Sequence, residues 1–163
     1  MPVKILISDD SPVFRRTLRQ LLESVDQWQV IETRDGGEAV TQAITTLPDV
    51  VVLDLAMPVK DGLTAAREIA QALPGTPILI CTMHKAPQME LEAQKAGARG
   101  TLSKENSTAI VPAIHQLLNE KRAQAANSSA NETPGETGRS SAHEARGESP
   151  SNHKRPTSPD PKS

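Results

Sequence analysis

Short apolar runs alternate with longer amphipathic stretches along the first three-quarters of the chain. Five runs read as strands: Val3–Ser8, Gln29–Thr33, Val50–Asp54, Pro77–Cys81 and Arg99–Leu102. They are rich in Val, Ile and Leu and do not alternate with polar residues, the mark of strands covered on both faces. The stretches between them carry helical spacing. Phe14, Leu18, Leu21, Leu22 and Val25 recur three and four residues apart, with Ser11 as N-cap and Pro12 at the first helical position. Asp35-Gly36-Gly37-Glu38 has the form of a capping box and opens a second helix toward Thr46. Leu63, Ala66, Ile69, Ala70 and Leu73 mark a third, stopped by Pro74-Gly75. A fourth, rich in small residues, runs from about Pro87 to Ala96. A fifth, from about Thr108 to Arg122, places Ile110, Ile114, Leu117 and Leu118 on one face and Pro112 in its first turn. Five strand–helix units of this kind predict an α/β fold, a parallel sheet with helices on both faces and right-handed crossovers.

The pattern stops at residue 122. From Ala123 to Ser163 there is no Val, Ile, Leu, Met, Phe or Trp. Such a stretch buries too little apolar area to offset the entropy of ordering. The expected organisation is therefore one domain, residues 1–122, and a disordered polar tail, residues 123–163. Two Asn-x-Ser/Thr sequences in the tail, at Asn127 and Asn131, match glycosylation acceptors only by chance in a chain without a secretory signal.

Composition narrows the function by exclusion. The formal net charge of -2 offers no basic field for nucleic acid. With Phe14 and Trp28 as its aromatics and no tyrosine, the chain has no base-stacking platform. Cys81 is the single cysteine and lies in an apolar run, as a buried strand thiol does. The apolar stretch at the N-terminus is short and followed by acid. Nothing reaches the roughly 18 apolar residues of a membrane span. A cytoplasmic protein without membrane contact is expected.

The chemistry sits where the strands end. Asp9 and Asp10 follow the first strand, Asp54 ends the third, Thr82 follows the fourth, and Lys104 follows the fifth. Ligands of open parallel sheets bind beyond the carboxyl ends of their strands. Taken singly, Asp9 or Asp10 would cap a helix, Thr82 would close a strand, and Lys104 would sit solvated in a loop. Together they make a hard-oxygen site suited to Mg²⁺, with a lysine and a hydroxyl for phosphoryl oxygens. Carboxylates gathered this closely resist ionising without a cation among them. An Asp can take a phosphoryl group covalently, and Asp54 is the natural acceptor.

These residues, with Leu53-Asp54-Leu55-Ala56-Met57-Pro58, Asp61-Gly62 and Gly97-Ala98-Arg99-Gly100-Thr101-Leu102-Ser103-Lys104, resemble the receiver domain of two-component response regulators over about residues 2–121. Arg99-Gly100, Thr82-Met83-His84 and the Leu-rich fifth helix look closest to receivers of the nitrate-regulator subfamily. The resemblance implies a flavodoxin-like doubly wound sheet of order 2-1-3-4-5 with five helices. It implies phosphorylation of Asp54 by a histidine kinase or phosphotransfer protein. It implies Mg²⁺ held by Asp10, Asp54 and the backbone carbonyl of Ala56, with Asp9 acting through water. Lys104 would pair with the phosphoryl group and Thr82 would move to hydrogen-bond it. His84, two residues beyond Thr82, and Ala56, two beyond Asp54, occupy positions that tune dephosphorylation in this family. His115 reads as a surface helix residue.

Two positions depart from the family pattern. Thr101 stands where many receivers carry Tyr or Phe, and Glu105 replaces the proline that usually follows the lysine. The chain also shows no helix-turn-helix after Arg122. The expected function is thus a stand-alone receiver that signals by protein–protein contact with an unnamed downstream partner, without direct DNA binding, and with phosphorylation-dependent homodimerisation left open. The competing readings are a DNA-binding regulator that has lost its effector, an Asp-nucleophile phosphatase, and a degenerate receiver that works without phosphate. The phosphatase would carry a second Asp where this chain has Ala56. Beyond slow self-dephosphorylation, no enzymatic activity is expected.

Overall fold

The computed structural model describes residues 1–130. In chain order its elements are β1 (Val3–Ser8), α1 (Pro12–Glu23), β2 (Trp28–Thr33), α2 (Gly36–Thr46), β3 (Val50–Asp54), α3 (Gly62–Ala72), β4 (Ile78–Thr82), α4 (Pro87–Lys95), β5 (Gly100–Ser103), a 3-10 segment (Lys104–Ala109) and α5 (Ile110–Ala130). The strands pair in parallel in the order β2-β1-β3-β4-β5. This is the flavodoxin-like sheet expected from the sequence.

Strand position explains the apolar runs. All five residues of β3 and of β4 are buried, whereas the four residues of the edge strand β5 are all half-buried. Alternate side chains go to opposite faces. Ile5, Ile7, Val50, Val52 and Leu79 pack against Leu18 and Leu22 of α1 and Ile114, Leu117 and Leu118 of α5. Leu6, Val51, Leu53, Ile78 and Ile80 face Ala39 and Ala43 of α2, Ala65, Ala66 and Ile69 of α3, and Ala93 of α4. Small residues on that second face let the helices approach the sheet closely.

The helix starts follow the sequence signals. The Ser11 hydroxyl accepts from Phe14 N at 3.3 Å, and Asp35 accepts from Glu38 N at 2.9 Å. Glu38 closes its box one residue early, accepting from Arg34 N at 3.0 Å. Asp61 caps α3 by accepting from Thr64 N at 2.8 Å. β4 and β5 are displaced by one residue from their expected bounds, and β2 starts one residue earlier, at Trp28. Pro77 lies just outside β4 yet still serves the ladder, its carbonyl accepting from Val51 N at 3.0 Å.

The boundary at residue 122 is corrected. Helix α5 continues to Ala130, so residues 123–130 are helical. Extending a helix already nucleated and docked adds one hydrogen bond per residue, and alanine is the best helix former. Ala123-Gln124-Ala125-Ala126 therefore propagates the helix without burying anything; residues 123–130 are exposed. Arg99 Nη1 also donates to Gln124 Oε1 at 3.1 Å, tying this extension to the turn before β5. The remainder of the expected tail, residues 131–163, lies outside the described residues. Among the described residues no helix is long and apolar enough to cross a membrane.

Candidate functional site

The parallel register brings the acids together. Ser8 of β1 pairs with Leu53 of β3, so the next residues, Asp9 and Asp54, leave the sheet side by side. Asp54 also pairs with Cys81, which puts Thr82 one step beyond it on β4. Asp9, Asp54 and Thr82 are buried, whereas Asp10 is exposed. One carboxylate oxygen from each of Asp9, Asp10 and Asp54 lies within 4.8 Å of the others.

Lys104 enters from the 3-10 segment after β5. Its Nζ lies 2.6 Å from Asp9 Oδ2 and 3.2 Å from Asp54 Oδ2, with the side chain 9% exposed. The ammonium also sits 4.6 Å from the centre of the Phe14 ring, a cation–π contact that closes its apolar side. No cis peptide bond occurs in the described residues, so the Lys104–Glu105 bond is trans and leads straight into the 3-10 turn.

The backbone around the acids is fixed from several directions. Asp9 N donates to Thr33 O at 3.3 Å, Asp9 Oδ1 accepts from Ser11 N at 2.8 Å, and the Asp9 carbonyl accepts from Arg15 Nη1 at 2.7 Å. Behind Asp54 stands Gly62, the first residue of α3. A Cβ there would lie 2.0 Å from the Asp54 carbonyl oxygen, so only glycine allows this approach. In the intervening loop Val59 adopts φ 68°, left-handed backbone that a β-branched residue rarely takes. Ala56 lies exposed in the same loop.

Charge and burial act in opposite senses on the two central groups. Burial, then the neighbouring charge of Asp9, pushes the Asp54 carboxyl above its ordinary value, and the attraction of Lys104 offsets this only in part. Burial would lower Lys104, but its hydrogen bond to Asp9 and the charges of Asp9 and Asp54 outweigh it, and its pKa is raised. The lysine thus stays cationic, and it pairs with two of the three clustered carboxylates. Hard oxygen donors with an excess of negative charge, one of them open to solvent, fit a divalent ion such as Mg²⁺. Asp9, Asp10 and Asp54 are the residues that would hold it.

The other expected residues divide. The Thr82 hydroxyl accepts from His84 N at 3.4 Å and lies at the site's edge. His84 is exposed in the following loop. Thr101 lies on β5, its hydroxyl 3.4 Å from Glu90 Oε1, while Glu90 pairs with Lys85 at 2.8 Å. His115, exposed on α5, lies against Trp28 in a tilted arrangement, ring centres 4.7 Å apart and planes at 46°. Cys81 is buried as expected, and desolvation pushes its thiol up to about 12, which leaves it unreactive. Sequence reasoning missed Phe14 as a lid on Lys104, Arg15 as a clamp and Gly62 as the backing of Asp54. Phe14 carried a signal only for the helix core. Arg15's position, five residues after Asp10, suggested nothing without the fold.

Comparisons with known proteins agree with this geometry. A family model described as the response regulator receiver domain matches residues 5–116. The protein-glutamate methylesterase/protein-glutamine glutaminase 1 of Pseudomonas aeruginosa is 40% identical over 134 residues, covering 79% of this chain and 36% of that protein. The chain thus spans about a third of the length of the curated relatives it matches. A LuxR-family two-component response regulator from Aurantimonas sp. is 36% identical with a TM-score of 0.70, covering 74% of this chain and 87% of the other. The receiver domain of the response regulator NarL from Mycobacterium tuberculosis is 32% identical with a TM-score of 0.68, covering 72% and 97%. With its acids, lysine and sheet order all in the expected places, the chain belongs to the family of response regulator receiver domains of two-component systems.

Proposed function

We propose that this receiver accepts a phosphoryl group on Asp54 from a phosphohistidine of a histidine kinase or phosphotransfer protein, and that the phosphorylated form signals by binding another protein. The observation that carries the reading is the ion-pair geometry. Lys104 Nζ reaches both Asp9 and Asp54, within a group of three carboxylates at one sheet edge. A carboxylate oxygen of Asp54 attacks phosphorus; the new P–O bond forms as the P–N bond breaks, and the leaving imidazole keeps the electron pair. Bound Mg²⁺ supplies charge neutralisation for the incoming phosphoryl oxygens. Asp10, Asp54 and the backbone carbonyl of Ala56 would hold the ion, with Asp9 acting through water. Lys104 gives up its Asp54 contact to pair with the phosphoryl group, and the Thr82 hydroxyl turns from His84 N to donate to a phosphoryl oxygen.

The chain does this in the cytoplasm, with no catalysis of its own beyond slow loss of the acyl phosphate. The exposed Ala56, where an Asp-nucleophile phosphatase would need its second acid, supports that restriction. The esterase and glutaminase activities named for the relatives belong to proteins of which this chain matches about a third. Incubation with acetyl phosphate and Mg²⁺, followed by mass spectrometry, tests the reading. The wild-type chain gains one phosphoryl group that hydroxylamine removes, and Asp54→Asn gains none. Equal labelling of the two chains would remove Asp54 as acceptor.

A further inference from the structure

Asp9 and Asp10 are adjacent, yet the structure holds them very differently. Asp9 is buried, and its amide, one carboxylate oxygen and its carbonyl are each bonded to a different partner: Thr33 O, Ser11 N and Arg15 Nη1. Asp10 is exposed, and no side-chain hydrogen bond or ion pair fixes it among the described residues. Its carboxylate nonetheless belongs to the cluster within 4.8 Å. What fixes Asp10 is therefore its backbone. The peptide between Asp9 and Asp10 is a rigid plane, so a hydrogen bond to the Asp9 carbonyl also orients the Asp10 amide and the bond leading to its Cα.

That bond comes from Arg15 at 2.7 Å, and Arg15 is itself held. Its side chain is 13% exposed, and its Nε lies 3.7 Å from Glu32 Oε1 on β2. The other oxygen of Glu32 accepts from Arg19 Nη1 at 2.7 Å. Glu32 thus anchors two arginines of α1, and one of them reaches back to the peptide joining the two acids. We propose that Arg15 is a positioning residue for Asp10, and through it a determinant of divalent-cation affinity at the site. The proposal rests on the reading of the acidic cluster as a Mg²⁺ site.

Two roles of Arg15 predict opposite signs. As a bare positive charge near the acids, it repels a divalent cation, so neutralising it would tighten Mg²⁺ binding. As a clamp, it keeps Asp10 aimed, so removing it weakens binding. Outer residues that orient metal ligands typically matter by about 10-fold or more in affinity.

The test is isothermal titration of Mg²⁺ into the full chain and its Arg15→Met, Arg15→Lys and Glu32→Gln variants, with thermal midpoints measured in parallel. Arg15→Met is expected to bind Mg²⁺ about tenfold more weakly. Arg15→Lys keeps one donor and the charge and recovers part of the loss. Glu32→Gln, which touches neither acid, weakens binding by a smaller factor and carries the test if Arg15→Met does not fold. Unchanged or tighter binding by Arg15→Met, or by Glu32→Gln in its stead, overturns the proposal, whatever the thermal midpoint does. A wild-type chain that binds no Mg²⁺ would instead remove the cation reading beneath it.

Discussion

Two lysines neutralise carboxylates in different parts of the molecule, Lys104 after β5 and Lys85 in the loop between β4 and α4, and their surroundings differ sharply. Lys104 joins Asp9 and Asp54 with side chains 9%, 2% and 8% exposed. Lys85 joins Glu90 with both side chains 46% exposed, and Thr101 touches the same glutamate from β5. A desolvated pair cannot be broken on one side without stranding charge, whereas a solvated pair exchanges freely with water. The site end of the molecule is therefore held by contacts that are costly to break. The β5–α4 end, where receivers often place an aromatic ring, is held by contacts that cost little to rearrange. On the proposed function, the chemistry falls in the first region, and the second is the one whose contacts rearrange at little cost.

Substitutions can break this contrast. The largest effect is expected from Lys104→Met, which leaves buried Asp9 and Asp54 without their cation. We expect a loss of about 3 kcal/mol at neutral pH in denaturant unfolding, recovered in part by millimolar Mg²⁺. Because the Lys104 pKa is raised, the wild-type pair contributes in full below the ordinary lysine range and fades only as pH rises through and beyond it. Next comes Gly62→Ala. Its methyl group would meet the Asp54 carbonyl and push β3 and α3 apart, costing about 2 kcal/mol and slowing phosphorylation together.

Asp54→Asn should act in the opposite direction. The Asp54 pKa is raised, so the folded chain holds that proton more tightly than the unfolded one. Ionisation then costs stability as pH rises above the ordinary carboxylate range. Asn removes that cost, while Lys104 keeps Asp9 as its partner. Without Mg²⁺ the variant gains on the order of 1 kcal/mol at neutral pH and nothing in acid below that range. Added Mg²⁺ stabilises the wild type and closes the gap. The smallest effect is expected from Glu90→Gln. Its pair with Lys85 is solvated, so the thermal midpoint stays within error of wild type. A clear drop would mean that the β5–α4 region is held as rigidly as the site.

Much of the first region was legible in the sequence because it depends on strand ends. A carboxylate that closes an apolar run has one place to go, and parallel strands of similar length bring Asp9, Asp54, Thr82 and Lys104 to one edge. Sheet order came from resemblance, since spacing alone does not order parallel strands. Phe14, Arg15 and Gly62 escaped for a common reason. Each acts on a residue distant in the chain or on its backbone, and nothing in local pattern distinguishes a ring that fills a core from one that caps a lysine. The end of α5 escaped because burial was the criterion: Ala123–Ala130 extends by propensity and the exposed Arg99–Gln124 hydrogen bond, with no apolar face to announce it.

The central claim is that Asp54 is the acceptor in a Mg²⁺-assisted site. Its most direct test is the intact mass of the wild-type and Asp54→Asn chains after acetyl phosphate, with Mg²⁺ and with chelator. The account predicts one phosphoryl group on the wild type with Mg²⁺, and none on the variant or on either chain in chelator. Phosphorylation of Asp54→Asn to the wild-type level, or full labelling of the wild type in chelator, would contradict it.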